Sequence, residues 1–111
     1  MFRLRAKLLM VILSRSTIRR YGDRYPAAAS ALNEWYDKTW NADWSCFADM
    51  KQTFNHVDSI GDDRYVFNIK GNHYRLVALI RFSFRTVYVK YVGLHAEYDH
   101  VDLLTVEPER L

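Results

Sequence analysis

Apolar and polar residues alternate most regularly in the second half of the chain. From Arg64, the positions Tyr65, Phe67 and Ile69 interleave with Arg64, Val66, Asn68 and Lys70, which is the two-residue period of a strand. Lys70-Gly71-Asn72 then signals a hairpin, because Gly and Asn tolerate positive φ. The next strand is expected over His73 to Phe82. Tyr74, Leu76, Ala78, Ile80 and Phe82 form one wholly apolar face. His73, Arg75, Val77, Leu79 and Arg81 form a mixed one. Ser83-Phe84 falls in the following turn. A last long strand is expected from Arg85 to Val92, with Val87, Val89 and Tyr91 alternating with Tyr88, Lys90 and Val92, and Gly93 ends it. His95 to about Leu103 reads as a short helix or helical turn.

The first half has a helical period. Leu9 to Leu13 is a short apolar run, expected as a first buried strand. A helix follows, capped by Ser14 or Ser16 and running to Asp23 or Arg24, with Ile18 and Tyr21 on one face. Pro26 interrupts it and is suited to open the next helix. Ala27 to Trp40 is the clearest helix, with an apolar stripe of Ala28, Leu32, Trp35 and Tyr36. Trp44, Phe47, Met50 and Phe54 mark a short third helix, with Asp43 or Ser45 as its cap. Asn55 to Asp63 is polar and ends in a Gly61-Asp62-Asp63 turn. Helices followed by strands predict an α+β fold: an antiparallel sheet with helices packed on one face. Trp35, Tyr36, Trp40, Trp44 and Phe47 have the right chemistry for base stacking, but their helical spacing assigns them to the core.

Composition narrows the picture. The chain has 111 residues and forms one domain. Its single Cys46 permits no intramolecular disulfide and offers no thiol-rich metal spacing, so a reducing cytoplasmic setting fits and no metal is expected. Met1 to Leu13 superficially resembles a signal peptide, but its apolar run is short and SRSTIRR follows instead of a small-residue cleavage site. The run also falls far short of the ~20 residues that span a membrane. Met10 is a candidate second start, and the chain after Glu107-Pro108 is expected to fray.

Charge changes the reading of the sheet. The net charge is only +3, yet Arg64, Lys70, Arg75, Arg81, Arg85 and Lys90 all fall between Arg64 and Ala96, where there is no Asp or Glu. Acids gather before the block (Asp58, Asp62, Asp63) and after it (Glu97, Asp99, Asp102, Glu107, Glu109). A basic sheet points to an anionic partner, most often nucleic acid. The plainer alternative is a solvated face whose cations pair with the flanking acids. RNA cleavage needs a group to take the 2′-hydroxyl proton, one to protonate the leaving 5′-oxygen, and cations to hold the charge on phosphate. Lys70 at the hairpin, Arg75 and Arg81 on one strand face, and Lys90 on the next strand supply cations. His95, Tyr98 and Asp99 stand at i, i+3 and i+4, on one side of a helix. Each also has a structural reading, as a packing tyrosine, a capping histidine or a salt-bridge carboxylate. His56, His73 and His100 have weaker settings. A metal site from His95, Asp99 and His100 is disfavoured, since adjacent helical residues face different ways.

Two blocks, DRYVFNIKGNHYRLVALI and VKYVGLHAEYDHVD, resemble the HigB toxins of bacterial type II toxin–antitoxin modules, which are RelE-like mRNA interferases. The similarity extends upstream to Ser14-Arg15, Ala42-Asp43-Trp44, Phe47 and Lys51, and covers about Met10 to Val106. The resemblance implies a small α+β toxin that cleaves mRNA on the translating ribosome without a metal ion or cofactor. It also implies a helix-turn-helix antitoxin (HigA-like) as partner. By motif position it implies roles for Lys70, Asn72 and Arg75 from KGN-YR, and for His95, Tyr98 and Asp99 from HAEYD. Lys70, Arg75, His95, Tyr98 and Asp99 are thus the expected catalytic set, and Arg64, Asn72, Arg81 and Lys90 the expected RNA contacts. Leu94 departs from the small polar residue common before the histidine, and residues 1–9 look additional. Two rivals remain: an RNA- or ribosome-binding module without cleavage, and a degenerate toxin that serves only as antitoxin partner.

Overall fold

The computed structural model describes residues 10–13, 15–95 and 102–108. A five-stranded sheet carries three helices on one face. Its strands are β1 (Val11–Leu13), β2 (Val57–Gly61), β3 (Arg64–Ile69), β4 (Tyr74–Arg81) and β5 (Thr86–Leu94), in the spatial order β1-β5-β4-β3-β2. β1 runs parallel to β5, and the other neighbours are antiparallel. The helices are α1 (Arg15–Arg24), α2 (Ala29–Trp40) and α3 (Phe47–Thr53). The α+β expectation holds. β1 corrects the expected buried strand: it is an edge strand in which Ile12 is buried while Val11 and Leu13 are exposed. β2 is absent from the sequence reading, which has a polar loop there. Its Asp58 and Ser59 are exposed, and pairing with β3 defines it rather than an apolar run.

The helices form where their apolar spacing meets the sheet. α1 buries Thr17, Ile18 and Tyr21, and α2 buries Leu32, Trp35 and Thr39. Pro26 opens a short 3-10 turn (Pro26–Ala28) ahead of α2, where its missing N–H is no loss. Ahead of α3, the Ser45 N–H and hydroxyl both donate to Asp49 Oδ2, at 2.9 and 2.8 Å. Those two bonds hold the Asp49 carboxyl below the ordinary aspartate value. Trp44 Nε1 donates to Thr53 Oγ1 at 3.0 Å and so ties the loop to the far end of α3. Trp35 and Trp44 are almost fully buried, in keeping with the core assignment, whereas Trp40 is largely exposed and stacks on Tyr36.

Strand parity sets two unlike faces. Tyr65, Phe67, Ile69, Leu76, Ala78, Ile80, Val87, Val89 and Val92 join the helices in the main core. Val66, Val77 and Tyr91 lie in a smaller cluster, against which Ile60, Leu103 and Val106 pack. A bulge in β5 corrects the expected parity there. Val77 pairs with Tyr91 and Ala78 with Val89, so Lys90 has no Cα partner on β4. One extra residue reverses the alternation, which sends Val92 to the helix side and Tyr91 to the outer side.

Candidate functional site

The outer face begins at the β3–β4 turn. Lys70 and Gly71 both take left-handed φ, 52° and 63°. Only glycine does this without steric cost, so the Lys70 backbone is mildly strained. The His73 N–H donates to Lys70 O (3.2 Å) and closes the turn, and the His95 N–H donates to His73 O (2.9 Å). His95 is thereby held beside the turn although it follows β5. Arg75 pairs with Asn68 on one side and Gly93 on the other. Its Nη1 donates to the carbonyls of Asn72 (3.5 Å) and Tyr74 (3.3 Å). Asn68 Nδ2 donates to Asn72 Oδ1 at 3.3 Å. Tyr91 lies over Gly93, where an added Cβ would collide with its ring. Lys70, Asn72, Arg75 and His95 therefore share one end of the sheet, where Lys70 lines a groove with Ala31, Glu34, Trp35 and Lys38 on the helix side. Tyr98 and Asp99 lie outside the described residues, as does most of the helix expected from His95.

The other expected cations are placed differently. Arg81 shares the Arg75 face but stands at the opposite end of β4, roughly 20 Å away along the strand at ~3.3 Å per residue. One phosphate cannot touch both. Arg81 Nε pairs with Asp63 at 3.2 Å, with both side chains about half exposed. Arg85 pairs with Asp43, and its left-handed φ of 53° closes the β4–β5 turn. Arg64, expected among the RNA contacts, is only 5% exposed. Its guanidinium donates to the carbonyls of Leu103 (3.2 Å) and Val106 (2.7 Å) and to Glu107 (3.2 Å). Arg64 thus fastens the C-terminal tail, because a buried guanidinium needs several acceptors at once.

The tail is the feature that sequence reasoning misses. Residues 102–108 lie across the middle of the outer face, over Val66, Val77 and Tyr91. Glu107, expected to begin a frayed end, accepts from Lys90 Nζ at 2.8 Å as well as from Arg64. The Lys90 hydrogen bond and the two positive charges hold the Glu107 carboxyl below its ordinary value, against a smaller opposing effect of burial. The available signal was Leu103 and Val106, three positions apart, blurred by Leu104, which is exposed. Among the described residues no cluster of His, Cys, Asp and Glu is arranged to hold a metal ion, and no helix is long and apolar enough to cross a membrane.

The outer face thus joins a turn rich in polar side chains, an adjacent histidine and a tail strapped across a basic sheet. A family model described as HigB_toxin, the RelE-like toxic component of a toxin-antitoxin system, matches residues 28–101. The chain belongs to the HigB toxin family. It is 32% identical over 92 residues to the mRNA interferase HigB of Escherichia coli O6:H1, spanning 81% of this chain and 89% of that protein. It is 38% identical over 52 residues to the mRNA interferase toxin HigB of Escherichia coli K12, spanning 45% of this chain and half of that protein. The family match includes the turn, Arg75 and His95, and stops just before the tail that covers the outer face. The anchoring of Leu103, Val106 and Glu107 by Arg64 therefore lies partly beyond the matched region.

Proposed function

We propose that this member of the HigB toxin family is an endoribonuclease that cleaves mRNA on the translating ribosome. The observation that carries the reading is the convergence of Lys70, Asn72, Arg75 and His95 at one end of the sheet, in a chain similar to two mRNA interferases. The ribose 2′-oxygen attacks the adjacent phosphorus and loses its proton. The bond from phosphorus to the 5′-oxygen breaks, and that oxygen leaves with a proton. Arg75 and Lys70 stabilise the charge that builds on the phosphoryl oxygens, since guanidinium and ammonium donors act most strongly where negative charge develops. His95 transfers a proton, as imidazoles do near neutral pH. Asn72 positions the strand through its amide. Tyr98 and Asp99 are assigned by motif alone: a ring that stacks on a base or orients the 2′-hydroxyl, and a carboxylate that orients His95 or an arginine. These groups can carry the reaction without a metal ion.

The toxin is read as cytoplasmic, held inactive by a helix-turn-helix antitoxin until that partner is lost. The test is induction in cells with 5′-end mapping of transcripts. Wild type arrests growth and leaves new mRNA ends, whereas His95→Ala and Arg75→Ala do neither. Undiminished cleavage in both variants overturns the residue assignment. Salt-sensitive RNA binding with every transcript intact in the wild type favours a binding module without cleavage.

A further inference from the structure

We propose that Leu79, Arg81, Phe84, Tyr88 and Lys90 form a separate subsite for single-stranded RNA, in which a base stacks on Phe84 and Tyr88. This inference rests on the reading of the chain as an RNA-cleaving toxin and adds a second point of contact. The five residues line an open groove of about 320 Å³ at the Arg81 end of the outer face. The tail, packed on Val77, separates it from Arg75 and His95.

Phe84 is 71% exposed. One exposed ring is ordinary on a protein surface, but this one is held in place. It belongs to a 3-10 turn, Phe82–Phe84, whose other ring faces inward and packs edge-on against Tyr65 at 5.8 Å. Thr86 Oγ1 donates to Phe84 O at 2.8 Å. The next residue, Arg85, pairs through its side chain with Asp43, and its carbonyl accepts the Val11 N–H at 2.7 Å. The pinned turn brings the ring to the groove at no further backbone cost, so only side-chain rotamers are lost when a base lands on it.

The surroundings select the ligand. Tyr88 pairs with Leu79 across β4 and β5, and Lys90 Nζ lies 5.6 Å from the Tyr88 ring centroid. Arg81 stands at the rim. Two rings beside two cations are the elements of sequence-tolerant single-strand binding: the rings take the bases and the cations take the backbone. Arg81 and Lys90 are each paired with a carboxylate, Asp63 and Glu107, that is more than half exposed. The Arg81–Asp63 pair, half exposed on both sides, is weak in water, so a phosphate can replace Asp63. Lys90, only 18% exposed, keeps Glu107 and adds its charge at the edge of the groove. Asp63 then acts as a competitor for Arg81.

The test is fluorescence anisotropy with a labelled 2′-O-methyl single-stranded RNA, which stacks but has no free 2′-hydroxyl to cleave, run beside an mRNA cleavage assay. Phe84→Ala is expected to weaken binding roughly tenfold. Phe84→Leu weakens it as much, Phe84→Trp restores it, and Asp63→Asn tightens it. The exposure of Phe84 keeps the fold intact, which a thermal melt checks. Wild-type affinity in Phe84→Ala, or full rescue by leucine, overturns the subsite while leaving the cleavage reading in place if wild type still cuts mRNA. Loss of antitoxin binding in Phe84→Ala with RNA affinity unchanged also overturns it, and makes the ring a protein contact. If wild type neither binds the probe nor cleaves mRNA, the subsite and the reading beneath it fall together.

Discussion

The two faces of this sheet are built from the same strands and end in opposite states. The inner face, with Phe67, Leu76, Ile80 and Val87 nearly inaccessible, is consumed by helix packing. The outer face is divided into three. At one end stand Asn72, Arg75 and His95, with Lys70 at the turn that joins this end to the helix side. In the middle Val66, Val77 and Tyr91 lie under the tail. At the far end stand Arg81, Phe84, Tyr88 and Lys90. Polar chemistry thus occupies the two stretches that packing leaves open, and the tail decides where those stretches begin.

The contrast can be broken most sharply from the inner side. Leu76→Ala should cost about 2–5 kcal/mol by urea unfolding, since the side chain is fully enclosed and the helices cannot close over the gap. Leu79→Ala, its half-open neighbour on the other face, should cost clearly less. Equal losses would mean that the two faces are not distinguished by packing.

Arg64→Met tests the middle of the outer face. It removes the donors to Leu103 O and Val106 O, at a cost of about 1–3 kcal/mol for acceptors left without partners. The expected readout is faster proteolysis within residues 102–108, with the rest of the chain protected. Uniform proteolysis along the chain would show that Arg64 serves the whole fold and not the tail.

The smallest expected effect is a pH dependence. Because Glu107 has a lowered value in the folded chain, its contribution is fully present above the ordinary glutamate value of 4.5 and is lost as pH falls through the lowered one. NMR shifts of Val106 and Lys90 should move together on acidification below that point, and Glu107→Gln should flatten the Lys90 response. A transition above pH 5 would assign the tail's attachment to another group.

Much of this was legible in the sequence, for local reasons. The alternation in 64–82 sorted Tyr65, Phe67, Leu76 and Ile80 from Arg75, Val77 and Arg81, because strand parity is a property of consecutive residues. The stripe through Ala28, Leu32 and Trp35 placed α2 for the same reason. The failures are non-local. Nothing near Arg64 indicates that its acceptors lie about forty positions later, at Leu103 and Val106. β2 forms by pairing with β3 despite exposed polar residues, and the Lys90 bulge depends on register against β4. The alternative that the sheet's cations pair with flanking acids holds for Asp63 and Glu107, whereas Asp43, which pairs with Arg85, comes from farther up the chain. The turn end was the most legible part of the candidate site, because KGN and HAEYD are contiguous motifs and one hydrogen bond from the His95 N–H to His73 O joins them.

In the function proposed above, the two open ends of the outer face do different work: the Arg75–His95 end carries the chemistry and the Arg81–Phe84 end grips the strand. Steady-state cleavage of a translated mRNA by Arg75→Ala and Arg81→Ala, with kcat and KM resolved separately, tests it most directly. Arg75→Ala is expected to lower kcat roughly 100-fold or more, the scale seen when a transition-state donor is removed. Arg81→Ala is expected to raise KM with little change in kcat. A collapse of kcat in Arg81→Ala with Arg75→Ala unaffected would contradict it.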